Sequence, residues 1–482
     1  MTAPRITLLG SHHRTLEEHL DGHPDGHERA AVVLFKRIHV HVPGLPDSDR
    51  YIAREVHLLG PEYITSSSGM HIAFNLEPLR ELFRRCEDEQ LVFCFVHNHP
   101  HGPTEFSDVD EKNERTLVTA IANRNGVDTS LVALLWSKGR WVARVRNGRS
   151  IDESVPARHV AVISDKIDIF EAGEAAADVS EVQLRQAAAF GKPFTQKMQS
   201  LRVGFVGNGG TGSPGATLAA RSGIGEIILF DKDRLQRSNL NRVRGLMAHD
   251  VGHPKSLRLK NFIDGIGIQT KTAAIESFID ESCDAIDALA TCDVILGFTD
   301  DVLGRDIINL CAYFYAQPVI DVGLGGGIGT TPEGEPFLRN HAARVSTVLP
   351  ESGHCLFCQG VITPVWIRTA YELRKNPDLS REEMKDRYLE NGNTAAPGVG
   401  PFTSAAADFS IATLFDLVRP YRRFPPEVRK DLFFVDFVTM EIRSPDQTEN
   451  PECAYCGTRD FLNVKETYRL GRPSLGKRDE YR

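Results

Sequence analysis

No stretch of the 482 residues approaches the roughly 20 consecutive apolar residues that a membrane helix needs. The opening MTAPRITLLGSHHRTLEEHL lacks the basic start and long apolar centre of a secretion signal, so a cytoplasmic location and no membrane partner are expected. Basic charge is in short supply too. Lys and Arg number 56 against 65 Asp and Glu, a net charge of −9, and no basic patch interleaved with aromatics stands out, which argues against a nucleic-acid partner. The nine cysteines are an odd count in a chain without a signal, which excludes a disulfide framework and points to thiols and metal. Internal repeats and low-complexity tracts are missing as well.

What is present has the composition of a globular protein, 41% hydrophobic and 25% charged. Its length exceeds one ordinary core and suggests about three folding units. The small, acidic EAGEAAADVS reads as a connector. It sets a first domain at 1–165, a linker at 166–180, a second domain at 181–462 and a polar tail at 463–482.

In the first domain the β-prone run Leu91 to Val96 leads into His97-Asn98-His99, so both rings end a strand on one face. Pro100 turns the chain, and Ser107 opens a helical run whose first turn brings Asp110 back toward the strand end. Two imidazoles and a carboxylate would leave one zinc position open, where bound water ionises at a pKa of roughly 7. Ser107 with Asp110 also reads as a helix cap, and an H-x-H is often structural. The combination H-x-H, loop and S-x-x-D resembles the JAMM signature of the JAB metalloproteases, over about residues 25 to 150. That resemblance implies a cytidine-deaminase-like α/β domain with catalytic zinc on His97, His99 and Asp110. It implies a glutamate as general acid/base, matched by Glu28 with Glu55 as rival, and Ser107 hydrogen-bonded to the tetrahedral intermediate.

In the second domain Leu201 to Val206 reads as a buried parallel strand, and Gly207-Asn208-Gly209-Gly210-Thr211-Gly212-Ser213 turns it into a helix whose N-terminus suits phosphates. The next strand ends at Asp231, placed for a ribose. This much fits an NAD-dependent oxidoreductase equally well. Asp231-Lys232-Asp233, Ser238 to Arg242, His253-Pro254-Lys255 and Phe298-Thr299-Asp300-Asp301 shift the balance, because adenylation needs cations for a triphosphate and a carboxylate for magnesium, whereas hydride transfer needs neither.

The series resembles the ThiF/MoeB adenylyltransferases, the core of ubiquitin-activating enzymes, over about residues 180 to 460. A Rossmann-like α/β domain is implied, with Gly207, Gly209, Gly210, Gly212 and Ser213 around the phosphates of ATP and Asp231 on ribose. Asn239, Arg242 and Lys255 then contact the phosphates, Asp233 belongs to the same cofactor site, and Asp300 holds Mg. Arg185 stands where the family inserts an arginine into a partner subunit's site, which implies a homodimer.

Cys355-x-x-Cys358 and Cys453-x-x-Cys456 supply four thiolates, enough to close a tetrahedral structural zinc site, with a redox pair as the alternative. Such pairs also agree with the ThiF/MoeB resemblance. The family's thioester cysteine falls near Thr394 here, and no cysteine occurs from residue 359 to 452. A bifunctional enzyme of a bacterial ubiquitin-like or sulfur-carrier pathway is therefore expected. It would cleave after a carrier's C-terminal glycine and adenylate that terminus, with the acyl-adenylate as an expected end point of activation. A conjugating enzyme is a further expected partner, and an antiviral-defence setting one expected context. A non-catalytic scaffold that binds a ubiquitin-like protein is the remaining alternative.

Overall fold

The computed structural model describes all residues except 1–2, 22–24, 172–178, 379–397, 447–449, 458–469 and 471–482. The chain forms two compact units, one mainly from residues 1–178 and one mainly from residues 179–461.

The first unit is a nine-stranded mixed sheet in the order Ile167–Glu171, His159–Ile163, Arg5–Leu9, Arg50–Leu58, Ala30–Ile38, Val92–Asn98, Ser130–Ser137, Arg140–Asn147, Ser150–Pro156. Period-2 alternation divides each central strand between two cores. Cys94 and Val96 face the helix Gly10–Asp21 through Leu16 and Leu20. Phe93 and Phe95 face Leu79, Leu82 and Phe83 of the helix Leu76–Asp88 and Leu117, Val118 and Ile121 of the helix Asp108–Asn125. His97 continues the Phe93–Phe95 face and so emerges on the side where the Asp108–Asn125 helix begins.

Residues 167–171, assigned from the sequence to a linker, form an edge strand antiparallel to His159–Ile163. The composition of the following acidic segment masked the alternation of Ile167 and Ile169, both buried.

The second unit is an eight-stranded sheet in the order Lys271–Ile275, Glu226–Phe230, Arg202–Val206, Val294–Gly297, Val319–Thr330, Pro336–Val348, Leu432–Asp436, Ile442–Arg443. The first five strands are parallel and the rest antiparallel. The parallel strands Arg202–Val206, Glu226–Phe230 and Val294–Gly297 are buried along their whole length, as expected where crossover helices flank a sheet. Chain order places the turn after the first parallel strand beside the point where strand order reverses, the usual location of a ligand crevice in such sheets. Among the described residues no helix is long and apolar enough to cross a membrane.

Candidate functional sites

Three buried groups converge at the end of the strand Val92–Asn98. Asp110 Oδ1 lies 3.0 Å from His97 Nε2, and Asp110 Oδ2 lies 3.3 Å from His99 Nε2. One ligand atom from each residue falls within 4.8 Å of the others. Ser107 caps the helix: its hydroxyl donates to Asp110 Oδ2 at 2.8 Å, and its backbone N–H donates to the same oxygen at 2.7 Å. Capping and metal ligation are thus compatible roles of one carboxylate. Burial pushes the Asp110 carboxyl up, but the two imidazoles and the Ser107 amide outweigh it and hold the group well below the carboxylate range.

The donor set suits zinc. His99 Nδ1 lies 3.0 Å from the Pro103 carbonyl, which fixes the tautomer and leaves Nε2 as the free lone pair. His97 is buried, its Nε2 turned to the Asp110 carboxylate and its Nδ1 without a hydrogen-bond partner, so the ring sits where a metal could bind between the three side chains.

Glu28 is buried with Oε1 3.9 Å from His99 Nε2, and its Oε2 has no partner. Burial lifts its carboxyl to about 7. Glu55 is engaged elsewhere, accepting both arms of Arg85 at 2.7 and 2.8 Å and lying 3.2 Å from His57.

In the second unit one cleft of about 600 Å³ is lined by Gly207, Gly209, Gly210, Asp231, Asp233, Asn239, Arg242, Lys255 and Asp300 together. Its floor is the turn after Val206. Gly207 adopts φ +90°, and a Cβ there would stand 2.8 Å from the Phe298 carbonyl carbon, so this backbone conformation excludes other residues. A Cβ on Gly210 would lie 2.8 Å from Arg242 Cδ, so the missing side chain lets Arg242 rest against the loop. Asp231 accepts the Asn208 and Asp233 backbone amides at 2.6 and 2.8 Å, while burial raises its carboxyl. Lys255 Nζ donates to Asp233 at 2.8 Å. Asp301 is the helix cap, accepting from Leu303 and Gly304 N–H, which leaves Asp300 as the adjacent carboxylate on the cleft wall.

Two residues read from the sequence as site members are placed elsewhere. Ser213 is fully buried, its hydroxyl donating to the Gly209 carbonyl at 2.7 Å and accepting the Arg244 N–H at 2.9 Å, so it braces the loop from behind. Gly212 also lies off the cleft, where a Cβ would fall 1.9 Å from the Gly207 carbonyl oxygen. Arg185 is exposed on the helix Leu184–Phe190, outside the cleft of its own subunit, and the expectation for it concerns a partner subunit's site.

Other cleft residues escaped the sequence reading. Arg305 and Arg344 both pair with the buried Asp321. Phe278 lies between Lys232, 3.6 Å from its ring centroid, and Arg374, at 4.1 Å. None belongs to a short motif, and only the close of the preceding strand gave any signal for Phe278.

The two C-x-x-C pairs meet. Cys355 Sγ lies 3.6 Å from Cys453 Sγ, and Cys358 Sγ 3.5 Å from Cys456 Sγ. Zn–S bonds of about 2.3 Å in a tetrahedron place sulfurs roughly 3.8 Å apart, so the cluster fits zinc. Hydrogen bonds from the neighbouring thiols hold the Cys456 sulfhydryl down at about 5. Cys292 and Cys311 are fully buried, and the Thr394 position lies outside the described residues.

A Rossmann-type parallel sheet with a glycine turn, and with Asp231, Asn239, Arg242 and Lys255 around one cleft, characterises the second unit. The ThiF family model matches residues 183–455, more than half of the chain, and the chain belongs to that family. It is 31% identical over 124 residues to the SAMP-activating enzyme E1 of Haloferax volcanii, covering 26% of this chain and 46% of that protein. It is 31% identical over 135 residues to the sulfur carrier protein ThiS adenylyltransferase of Escherichia coli K12, covering 27% of this chain and 53% of that protein. The chain thus spans about half the length of these curated relatives. A solved structure of E. coli MccB superimposes with a TM-score of 0.44 at 18% identity, covering 60% of this chain and 76% of that one.

Proposed function

We propose that the second unit activates the C-terminal carboxylate of a ubiquitin-like or sulfur-carrier protein as an acyl-adenylate, and that the first unit is a JAMM-type zinc peptidase acting after the same terminal glycine. The observation that carries the first half is the single cleft holding the glycine turn, Asp231, Asn239, Arg242, Lys255 and Asp300. The names of the two relatives support the same class of reaction.

A carrier carboxylate oxygen attacks the α-phosphorus of ATP. The bond from that phosphorus to the bridging oxygen breaks, and its electron pair leaves with pyrophosphate. Asp231 accepts hydrogen bonds from the ribose, while Asn239, Arg242 and Lys255 orient and neutralise the phosphates. Asp300 would hold magnesium, which supplies further charge compensation on the leaving group. An oxidoreductase has no use for this set of cations and carboxylate. With no cysteine between residues 359 and 452, the acyl group passes directly from the adenylate to an external nucleophile.

In the first unit His97, His99 and Asp110 would hold zinc, which when bound supplies a water nucleophile ionised near neutral pH. Glu28 takes the proton of the attacking water and returns it to the leaving amine. Ser107 would hydrogen-bond the developing oxyanion by turning its hydroxyl from Asp110 Oδ2. One chain carrying both activities keeps the trimmed tail at high effective concentration for adenylation.

The test is ATP–pyrophosphate exchange with small β-grasp carriers ending in glycine, together with cleavage of a carrier extended beyond that glycine. Absence of exchange with every such carrier defeats the adenylation reading. Cleavage that survives Asp110→Ala defeats the peptidase reading.

A further inference from the structure

The inward stripe of the helix Asp108–Asn125 runs through Asp110, Glu114, Leu117, Val118 and Ile121. From Leu117 onward it packs into the apolar core, but its first two turns present carboxylates where an apolar anchor would ordinarily stand. Glu114 is 2% exposed. It accepts from Arg144 Nε at 3.0 and 3.1 Å, from Arg144 Nη2 at 2.8 Å and from Arg146 Nη2 at 3.1 Å. Glu111, the residue after Asp110, accepts from Arg144 Nη1 and from Arg146 Nη2. The Arg144 guanidinium also lies 4.0 Å above the Phe106 ring, whose centroid is 6.1 Å from that of His97.

One side chain therefore grips both the helix turn that carries Asp110 and the loop residue that packs on His97. Burying the Glu114 and Arg146 charges, with Arg144 and Glu111 half-buried beside them, is costly, and apolar residues of similar volume are often as stable or more so. What a planar guanidinium adds is geometry: a fixed fork sets the distance and plane of its carboxylates, and its face stacks on an aromatic ring. The Ser107 cap, Arg146 and the bond from Asn113 Nδ2 to the Ile72 carbonyl at 2.9 Å also hold these turns, and Arg144 adds to them the contact with the Phe106 ring.

We propose that Arg144 is a positioning residue of the His97–His99–Asp110 centre, holding Asp110 and the Phe106 loop in ligating register through Glu111 and Glu114. This rests on the reading of those three residues as metal ligands.

The test uses the full chain and two variants. Arg144→Lys keeps the charge but loses the fork and the stacking face. Arg144→Met with Glu114→Gln removes one charge of each sign and leaves Arg146 paired with Glu111. Zinc affinity is measured by chelator competition. The Co²⁺ spectrum separates the thiolate bands of the cysteine cluster from the bands of the histidine–carboxylate centre, so the cysteine cluster serves as an internal reference. Both variants are expected to bind metal about 10- to 100-fold more weakly at the histidine–carboxylate centre. Its bands should shift while the thiolate bands and the unfolding midpoint of the metal-free protein hold. Wild-type affinity in either variant, or a loss matched by collapse of the metal-free fold, overturns the proposal. Wild-type protein that takes metal only at the thiolates overturns the metal reading itself, a result distinct from wild-type binding that the variants fail to alter.

Discussion

Arg85 holds Glu55 in a bidentate pair at 2.7 and 2.8 Å, and that pair separates the two glutamates that sequence left as rivals for proton transfer. Arg85 draws the Glu55 carboxyl below its ordinary range and keeps it ionised and engaged. Glu28, with one oxygen unpartnered beside His99 and its carboxyl lifted by burial to about 7, is the one of the two to which the proposed peptidase reading gives proton transfer.

Glu28→Gln is expected to lower cleavage of a carrier fusion by about 10²- to 10⁴-fold while zinc content stays at the wild-type value. Glu55→Gln should leave cleavage within about twofold, since a partly exposed ion pair contributes roughly 1 kcal/mol or less. Single-turnover cleavage with metal analysis on the same samples checks both, and a stronger effect from Glu55 reverses the assignment.

Asp300 and Asp301 are adjacent carboxylates with different work. Asp300→Asn should abolish pyrophosphate exchange with little change in stability. Asp301→Asn keeps an acceptor at the cap and should retain the fold, whereas Asp301→Ala loses the bonds to Leu303 and Gly304 N–H and about 1 kcal/mol. Exchange assays and urea unfolding of the three variants separate the roles.

The glycines of the turn also divide. A Cβ at Gly212 meets the Gly207 carbonyl oxygen at 1.9 Å, which the backbone cannot accommodate, so Gly212→Ala should destabilise the second unit by about 3 kcal/mol. A Cβ at Gly210 meets only the flexible Arg242 side chain, so Gly210→Ala should fold normally and raise the KM for ATP. Equal stability of the two variants would contradict this division.

Cys453→Ser removes one of four thiolates and is expected to release one zinc equivalent and lower the unfolding midpoint. Tyr455, between the last two cysteines, donates to Asp306 at 2.7 Å, and the Leu356 N–H donates to Asn309 at 2.9 Å. Both partners lie on the helix Val302–Phe314, whose start lines the cleft. Tyr455→Phe should therefore keep its zinc yet weaken nucleotide binding several-fold, as measured by titration calorimetry.

Glycine turns, strand-end carboxylates and ligand spacings were legible in the sequence because each is a local requirement of backbone or metal. Asp110 was readable both as a member of the helix cap and as a neighbour of His97 and His99, since both follow from its place in the first helical turn. Ser213 was misjudged because its identity at a helix start suits phosphate as well as it suits Gly209 and Arg244. Arg305, Arg344 and Phe278 stayed hidden because strand order brings them to the cleft, and no spacing rule encodes that. Arg144 was invisible for a related reason: its partners Glu114 and Glu111 lie 30 and 33 residues away, and no local spacing links them to it.

The thiolate cluster joins segments nearly a hundred residues apart, with Cys453 and Cys456 as its last members. A chain emerging from the ribosome makes its glycine turn, ribose carboxylate and phosphate cations long before it makes those thiols. The helix that borders the cleft gains its final tie only when residue 456 has appeared. Synthesis from the N-terminus therefore delivers this brace last: a chain interrupted before Cys453 would carry Gly207, Asp231, Arg242, Lys255 and Asp300 without the completed four-thiolate cluster.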